Sequence, residues 1–181
     1  MKTFHALVKG KMKMSANLPE GYNTINPFII TKGAAKLIEF LEKVFGAKEV
    51  KEAFTMDTDG LVLHAELRIG NSTVMVADTK EGWPFTPSLL QIYVEDVEKT
   101  LQRAEELGAR IVTRPTEFYG DIFSRFVDPW DNLWWVYQHR GEVAWDETTD
   151  MNDNATWVTE SPELNYIHET LLETMKSLGK K

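Results

Sequence analysis

The chain contains no cysteine among its 181 residues. Disulfide bridges, thiol nucleophiles, zinc–thiolate sites and iron–sulfur clusters are therefore excluded. The absence fits a reducing compartment, and the start of the chain has too short an apolar stretch for a secretory signal. We predict a cytoplasmic protein.

Basic residues are outnumbered by acidic ones, with 20 Lys and Arg against 28 Asp and Glu and a net charge of -8. Nucleic-acid binding requires clustered Lys and Arg to neutralise phosphates, so no nucleic-acid partner is predicted. No apolar run approaches the 18 or so residues of a membrane span, so no membrane partner is predicted either. The 43% of hydrophobic residues is instead typical of a folded domain with a core.

Sequence signatures of common cofactors and nucleophiles are also missing. The chain has no glycine-rich pattern that would cradle a phosphate and no G-x-S-x-G motif of a serine hydrolase. We therefore predict no cofactor and assign no catalytic residue.

A repeated pattern of strand and helix signals organises the chain. A strand at residues 22–31 precedes the helical stretch "AAKLIEFLEKVFGAK", and three strands follow around residues 48–56, 61–69 and 73–78. The order recurs in "SLLQIYVED", the helix "DVEKTLQRAEELGAR", and the strands "IVTRP", "IFSRFVD" and "NLWWVYQH". This repeat predicts an α+β fold of two βαβββ modules, whose two helix-free sheet faces we expect to oppose each other and enclose a cleft.

Three regions follow from this pattern. Residues 1–20 form an N-terminal extension, either a solvated arm or an added edge strand. Residues 21–140 form the domain, with modules at 21–80 and 86–140. Residues 141–181 form an acidic linker and a C-terminal helix that starts at Ser161-Pro162 and ends at Gly179. This helix has an apolar stripe that is expected to pack on its own domain, across a dimer or on a separate partner. The stripe consists of Leu164, Ile167, Leu171, Met175 and Leu178.

Four stretches carry a resemblance to a known family: "TINPFIITKGAAKLIEFLEKVFGAKEV", "LVLHAELRIGNSTVMVADT", "YVEDVEKTLQRAEELGA" and "YGDIFSRFVDPWDNLWWVYQH". They resemble the glyoxalase, bleomycin-resistance and extradiol-dioxygenase superfamily, also called vicinal oxygen chelate proteins, and within it the PhnB-like branch. The resemblance implies paired βαβββ modules, a U-shaped cleft and usually a homodimer.

The resemblance also implies positions for a metal. Many members place ligands on the first and last strand of each module, and these positions correspond here to Asn26, Val74, Leu89 and Trp135. A divalent catalytic metal requires His, Asp or Glu ligands, which none of the four supplies. We therefore predict a site that contains no metal.

Strand alternation predicts which side chains line the cleft, because residues two apart share a face. On the strand at residues 61–69, Leu63, Ala65, Leu67 and Ile69 suit the helix side, and Trp134 and Val136 do so on the last strand. The predicted ligand-binding residues are Asn26, Phe28, His64, Glu66, Gln91, Tyr93, Arg125, Trp135 and Tyr137. The alternative is that the aromatic residues fill a core and the polar ones form a solvated network.

The leading hypothesis is a metal-independent binder of a small molecule, an aromatic metabolite or antibiotic that stacks on Trp135 and is oriented by Arg125 or Gln91. A second hypothesis is a lyase, isomerase or dioxygenase whose metal has moved to His64, Glu66 and another acid; His64 beside Glu66 is also a candidate general base. A third is an interaction module that uses the C-terminal helix. The loop "TKEGWPFTPS" between the modules is either a lid or an anchor.

Overall fold

The computed structural model describes residues 18–141 and 161–180. Most of the predicted N-terminal extension and the acidic segment 142–160 lie outside the described residues. The elements, in chain order, are β1 (Phe28–Thr31), α1 (Ala34–Phe45), β2 (Lys48–Glu49), a 3₁₀ turn (Lys51–Ala53), β3 (Thr55–Met56), β4 (Val62–Ile69), β5 (Ser72–Asp78), β6 (Leu89–Tyr93), α2 (Val97–Glu106), β7 (Arg110–Phe118), β8 (Asp121–Val127), β9 (Leu133–His139) and α3 (Pro162–Ser177).

The strands form two sheets with the same plan. Sheet one has the order β1-β5-β4-β2, with β3 also pairing with β4, and sheet two has the order β6-β9-β8-β7. In each sheet the first strand of the module runs parallel to the last, and the other pairs are antiparallel. The predicted α+β fold of tandem βαβββ modules with a C-terminal helix is confirmed, although the 3₁₀ turn divides the strand expected at residues 48–56 into two.

Helix α1 begins at a glycine next to a carboxylate of strand β5 and ends at a second glycine. Gly33 precedes it with φ 82°, and the Asp78 carboxylate accepts hydrogen bonds from the backbone N–H groups of Gly33 at 2.7 Å and Ala34 at 2.9 Å. Asp78 thus satisfies amides that a helix leaves without partners at its start. The helix ends at Gly46, which takes the left-handed conformation at φ 67°, as the sequence predicts.

The two helices lie between the two sheets. α1 contacts α2, β4 and β5, and its aromatic side chains also reach sheet two. The ring centroids of Phe40 and Phe126 are 6.2 Å apart, and those of Phe45 and Trp134 are 4.8 Å apart. One apolar core therefore joins both modules, and it contains the helix-facing residues of both sheets.

This packing corrects one expectation about the cleft. The face of each sheet that is turned away from α1 and α2, which we call its outer face, points away from the other module. The two outer faces of one chain therefore do not oppose each other. The physical reason is that the apolar faces of both helices and the helix-facing sides of both sheets are buried together in a single core.

A register shift in sheet one corrects a second expectation. Strand β3 pairs with β4 through Thr55 with His64 and Met56 with Val62, so β4 carries one extra residue there. Val62 is consequently buried in the core, and Leu63 is 50% exposed instead of facing α1 as predicted.

The turn between β8 and β9 is built around a buried carboxylate. Oδ1 of Asp128 accepts hydrogen bonds from the backbone N–H groups of Trp130 and Asn132, and Oδ2 accepts from Asn132 Nδ2 and Trp134 Nε1. Burial raises the pKa of Asp128, and these hydrogen bonds oppose the rise. Asp131 takes a left-handed conformation at φ 64° inside the same turn. The turn therefore connects β9 to β8 through side-chain as well as backbone contacts.

Helix α3 starts at Pro162, as predicted, but without the expected side-chain cap. The Ser161 hydroxyl donates to the Glu163 carboxylate instead of accepting from a helix amide. The buried positions are Ile167 and Thr174, whereas Met175, which the predicted stripe included, is 45% exposed. Among the described residues, no helix is both long and apolar enough to cross a membrane.

We expect Asp128→Asn to lower the free energy of unfolding by about 2–4 kcal/mol, because an amide NH₂ in place of Oδ2 faces the donors of Asn132 and Trp134 and leaves buried groups unsatisfied. Urea denaturation measures the loss. Glu117→Gln, at a side chain that is 83% exposed, is the matched control, with an expected change below about 0.5 kcal/mol. Equal stability of the two variants would contradict the structural role of Asp128.

Candidate functional site

The outer face of sheet one carries a compact polar and aromatic cluster. His64 Nε2 lies 3.2 Å from Glu66 Oε1, and the Tyr22 hydroxyl donates to the same carboxylate oxygen. The ring of Phe28 meets the His64 ring edge-on, with centroids 5.9 Å apart. Three predicted site residues, Phe28, His64 and Glu66, are therefore in contact.

Glu66 is a buried carboxylate that the cluster keeps ionised. The hydrogen bond from Tyr22 is the main cause that lowers the pKa of Glu66, with smaller contributions from His64 and Arg68, and burial acts in the opposite direction. The same hydrogen bond raises the pKa of Tyr22. An ionised carboxylate in contact with an imidazole is an arrangement that orients the ring for binding or for proton transfer.

Tyr22 is not among the predicted site residues, although alternation along the strand predicted at residues 22–31 would place it on the same face as Asn26 and Phe28. In the structure it lies before β1, and Arg68 holds this segment in place: its Nη1 donates to the Gly21 carbonyl and to Thr73 Oγ1, and its guanidinium lies over the Tyr22 ring at 5.2 Å. The signals that could have found Tyr22 are this alternation and Arg68, which lies on the same face as Glu66.

Asn26 lies in a turn and not on the first strand as predicted. Its Nδ2 donates to the Asn23 carbonyl at 2.6 Å and its Oδ1 accepts from the Asn23 backbone N–H at 3.0 Å. Strand β1 begins two residues later, at Phe28. The amide of Asn26 is thus used to close a local turn.

The outer face of sheet two is lined by aromatic rings in mutual contact. Tyr137 lies 5.3 Å from Tyr93 and 5.0 Å from Phe123 between ring centroids. Gln91 is exposed and pairs in register with Trp135 on the neighbouring strand. These side chains, with a half-buried Trp135, form an aromatic surface of the kind that binds planar molecules.

A cation is buried within this aromatic surface. Arg125 is only 4% exposed, and its guanidinium carbon lies 4.5 Å from the Phe123 ring centroid and 5.3 Å from that of Trp135. Burial lowers the pKa of Arg125 to about 10, so the group still carries its charge at neutral pH. Cation–π contacts with the two rings partly compensate for the lost hydration.

Helix α3 packs on the outer face of sheet two, over β7 and β8. Arg125 Nη1 donates to the Ile167 carbonyl at 2.7 Å, Thr113 Oγ1 lies 2.8 Å from Thr170 Oγ1, and the Arg114 backbone N–H donates to the Tyr166 hydroxyl at 2.9 Å. Of the surfaces that the sequence left open for this helix, the structure shows packing on its own domain. Arg125 therefore lies beneath α3, whereas we had expected it in an open cleft.

The metal positions that the resemblance implies do not fit a metal here. The Asn26 amide is used in its turn, Val74 is buried in the core, and Leu89 and Trp135 have no ligand atoms suited to a divalent ion. Residues 18–141 and 161–180 contain no group of three His, Asp or Glu side chains that could hold a metal ion. Within these ranges His64 and Glu66 thus lack a third ligand.

The predicted site residues form two groups, one on each outer face. Phe28, His64 and Glu66 lie on sheet one, and Gln91, Tyr93, Arg125, Trp135 and Tyr137 lie on sheet two. Because the outer faces point away from each other, one chain does not bring the two groups together.

Comparison with known proteins identifies the family and its extent along the chain. The family model of the Glyoxalase/Bleomycin resistance protein/Dioxygenase superfamily matches residues 22–136. The uncharacterized protein Mb0911c of Mycobacterium bovis is 32% identical over 135 residues, which cover 68% of this chain and 88% of that protein. The family-model match includes both modules and ends before α3.

Solved structures show the same fold at low identity. Protein PA1353 from Pseudomonas aeruginosa aligns with a TM-score of 0.55 and 16% identity, covering 65% of this chain and 98% of that one. TioX from Micromonospora sp. ML1 aligns with a TM-score of 0.51 and 23% identity, covering 67% and 98%. At these identities the likeness concerns the fold alone.

We expect Tyr22→Phe to raise the pKa of Glu66, because the variant removes the hydrogen bond that lowers it most while burial still favours the neutral acid. A carboxyl group whose pKa is lower in the folded state than in the unfolded state stabilises the fold at pH values above its unfolded pKa. This stabilisation is lost as the pH falls through the folded pKa. Acid unfolding of the variant should therefore begin at higher pH. Carboxyl ¹³C NMR of Glu66 measures the shift.

Tyr93→Phe is the control for this experiment, because Tyr93 lies on the other sheet and is 58% exposed. It should leave the titration of Glu66 unchanged. A Glu66 pKa that is the same in wild type and Tyr22→Phe would show that the tyrosine does not govern the carboxylate.

Proposed function

The chain belongs to the Glyoxalase/Bleomycin resistance protein/Dioxygenase superfamily, and we propose that within it the chain is a member of the PhnB-like branch. We propose that it binds small aromatic molecules without a metal. The observation that carries this proposal is the aromatic cluster on the outer face of sheet two, in which Phe123 and Trp135 lie against the Arg125 cation and Tyr137 contacts Phe123. A planar ligand stacks on the rings, and polar groups at the edge orient it.

The proposed site is completed by a second copy of the chain. Each outer face carries large apolar side chains that are about half exposed, including Phe28 at 48%, Leu89 at 48% and Tyr93 at 58%. Exposed apolar patches of this kind mark interaction surfaces. In the homodimer that we propose, sheet one of one copy opposes sheet two of the other, so that the His64–Glu66 pair faces the aromatic surface across a cleft.

The polar wall supports a second candidate function, an enzyme of the same superfamily. The contact between His64 Nε2 and Glu66 Oε1 at 3.2 Å favours acid–base chemistry, in which the imidazole takes a proton from a bound ligand and the carboxylate stabilises the imidazolium. Metal content of protein purified without chelator or affinity tag distinguishes a metal-dependent form. Stoichiometric zinc, iron, nickel or manganese would contradict the leading proposal.

We expect Trp135→Ala to weaken binding of aromatic ligands about tenfold, because the variant removes the stacking surface. Isothermal titration calorimetry against a panel of neutral and anionic aromatic metabolites and antibiotics measures the affinities. Trp83→Ala, at an exposed tryptophan between the modules, is the matched control and retains affinity if this loop is an anchor. If no compound of the panel binds the wild type, the proposed function is wrong.

We expect the protein to be a dimer, and Phe28→Glu to convert it into a monomer, because the new charge is buried without a partner at the proposed interface. Light scattering coupled to size exclusion measures the mass. Leu172→Glu, on α3 and 49% exposed, is the control with matched exposure. A monomer from Leu172→Glu together with a dimer from Phe28→Glu would show that the copies associate through α3 instead.

A further inference from the structure

Arg125 is a buried cation whose hydrogen-bonding capacity is only partly used. Nη1 donates both to Thr113 Oγ1 at 3.3 Å and to the Ile167 carbonyl at 2.7 Å. Nε is buried and has no partner within the described residues. No ion pair to Arg125 is formed by a carboxylate in residues 18–141 or 161–180. Among the residues that the structure describes, the charge is therefore buried with neutral acceptors alone.

The geometry of the guanidinium suits an anion better than its present partner. Nε and the Nη groups form a planar fork that matches the two oxygens of a carboxylate or the oxygens of a phosphoryl group. A single main-chain carbonyl offers one oxygen and no net charge, so it leaves part of the fork unused. The rings of Phe123 and Trp135 both lie against the guanidinium, and the half-buried Trp135 offers a surface for an aromatic body attached to such an anion.

Helix α3, which supplies this carbonyl, packs on β7. Its buried residues are Ile167 and Thr174, and its side-chain hydrogen bonds with β7 are those of Thr170 and Tyr166. The helix also lies beyond residue 136, where the family match ends. α3 is thus an addition to the common fold, placed on the wall where the ligand of the proposed function would bind.

We propose that Arg125 and the rings of Phe123 and Trp135 beside it form a subsite for the anionic group of an aromatic acid, and that α3 competes for it through the Ile167 carbonyl. This inference rests on the proposed function and narrows its ligand class to carboxylates and other small oxyanions on aromatic rings. Ligand binding then requires α3 to leave the outer face of sheet two. The apparent affinity is therefore the intrinsic affinity multiplied by the fraction of molecules in which α3 has left this face.

A reversible cross-link tests the competition in the full chain. The Oγ1 atoms of Thr113 and Thr170 are 2.8 Å apart, and the protein has no cysteine of its own, so a T113C/T170C variant contains a single pair of thiols. Oxidation forms a disulfide that keeps α3 on the outer face of sheet two, and reduction of the same protein allows the helix to leave. The probes are 2-naphthoate and its neutral isostere 2-naphthamide, titrated by calorimetry.

We expect the reduced variant to bind 2-naphthoate at least tenfold more tightly than the oxidised variant does. We also expect it to prefer 2-naphthoate over 2-naphthamide at least tenfold, a preference that oxidation abolishes. Equal affinity for 2-naphthoate in the two redox forms would overturn the proposal.

Hydrogen exchange of the wild type provides a measurement that needs no cysteine. Saturating 2-naphthoate should increase amide exchange in residues 162–177, because the helix leaves its surface. Arg125→Gln should abolish the increase, and Arg114→Gln, at an exposed arginine of β7, should preserve it. Unchanged or slower exchange of α3 with 2-naphthoate bound would overturn the proposal.

The outcomes separate this inference from the proposed function. If the reduced variant binds 2-naphthamide as tightly as 2-naphthoate, the anion subsite is wrong and aromatic binding still stands. If neither probe binds and the wider aromatic panel also fails, the proposed function and this inference are both wrong.

Discussion

The packing of α1 between the two sheets is the constraint on which the rest of the structure depends. Phe40 and Phe45 project from this helix onto Phe126 and Trp134 of the other module. Burying these rings removes several large apolar surfaces from water at once, which makes this contact a major part of the core. The same contact turns the outer faces away from each other, so each chain presents two separate walls.

The two walls differ in chemistry although they come from the same repeated unit. Sheet one presents the carboxylate of Glu66 with His64 and Tyr22, and sheet two presents aromatic rings around Arg125. The Glu66 carboxylate accepts its hydrogen bonds from residues of its own module. The Arg125 guanidinium instead donates to a carbonyl of α3, a helix outside the repeated modules. The asymmetry places Glu66 and Arg125 on different outer faces of the chain.

Strand alternation predicted the orientation of site side chains correctly only where the backbone forms a regular strand. Alternation correctly assigned Trp134 and Val136 to the core, because β9 is an uninterrupted strand. It failed at Leu63, where the bulge opposite β3 shifts the parity by one residue. It also failed at Asn26, whose side chain closes a turn instead of joining a strand. Local irregularities of this kind depend on pairing partners that lie far away in the sequence.

The sequence by itself determined the repeated modules, the C-terminal end of α1, the start of α3 and the absence of thiol chemistry, because these depend on periodicity, on glycine and proline and on composition. Only the tertiary structure decided which faces oppose each other, that Tyr22 returns to Glu66, and that α3 covers Arg125. The physical reason is that these contacts join segments more than 40 residues apart. Their formation depends on how the helices share one core, which no local pattern encodes.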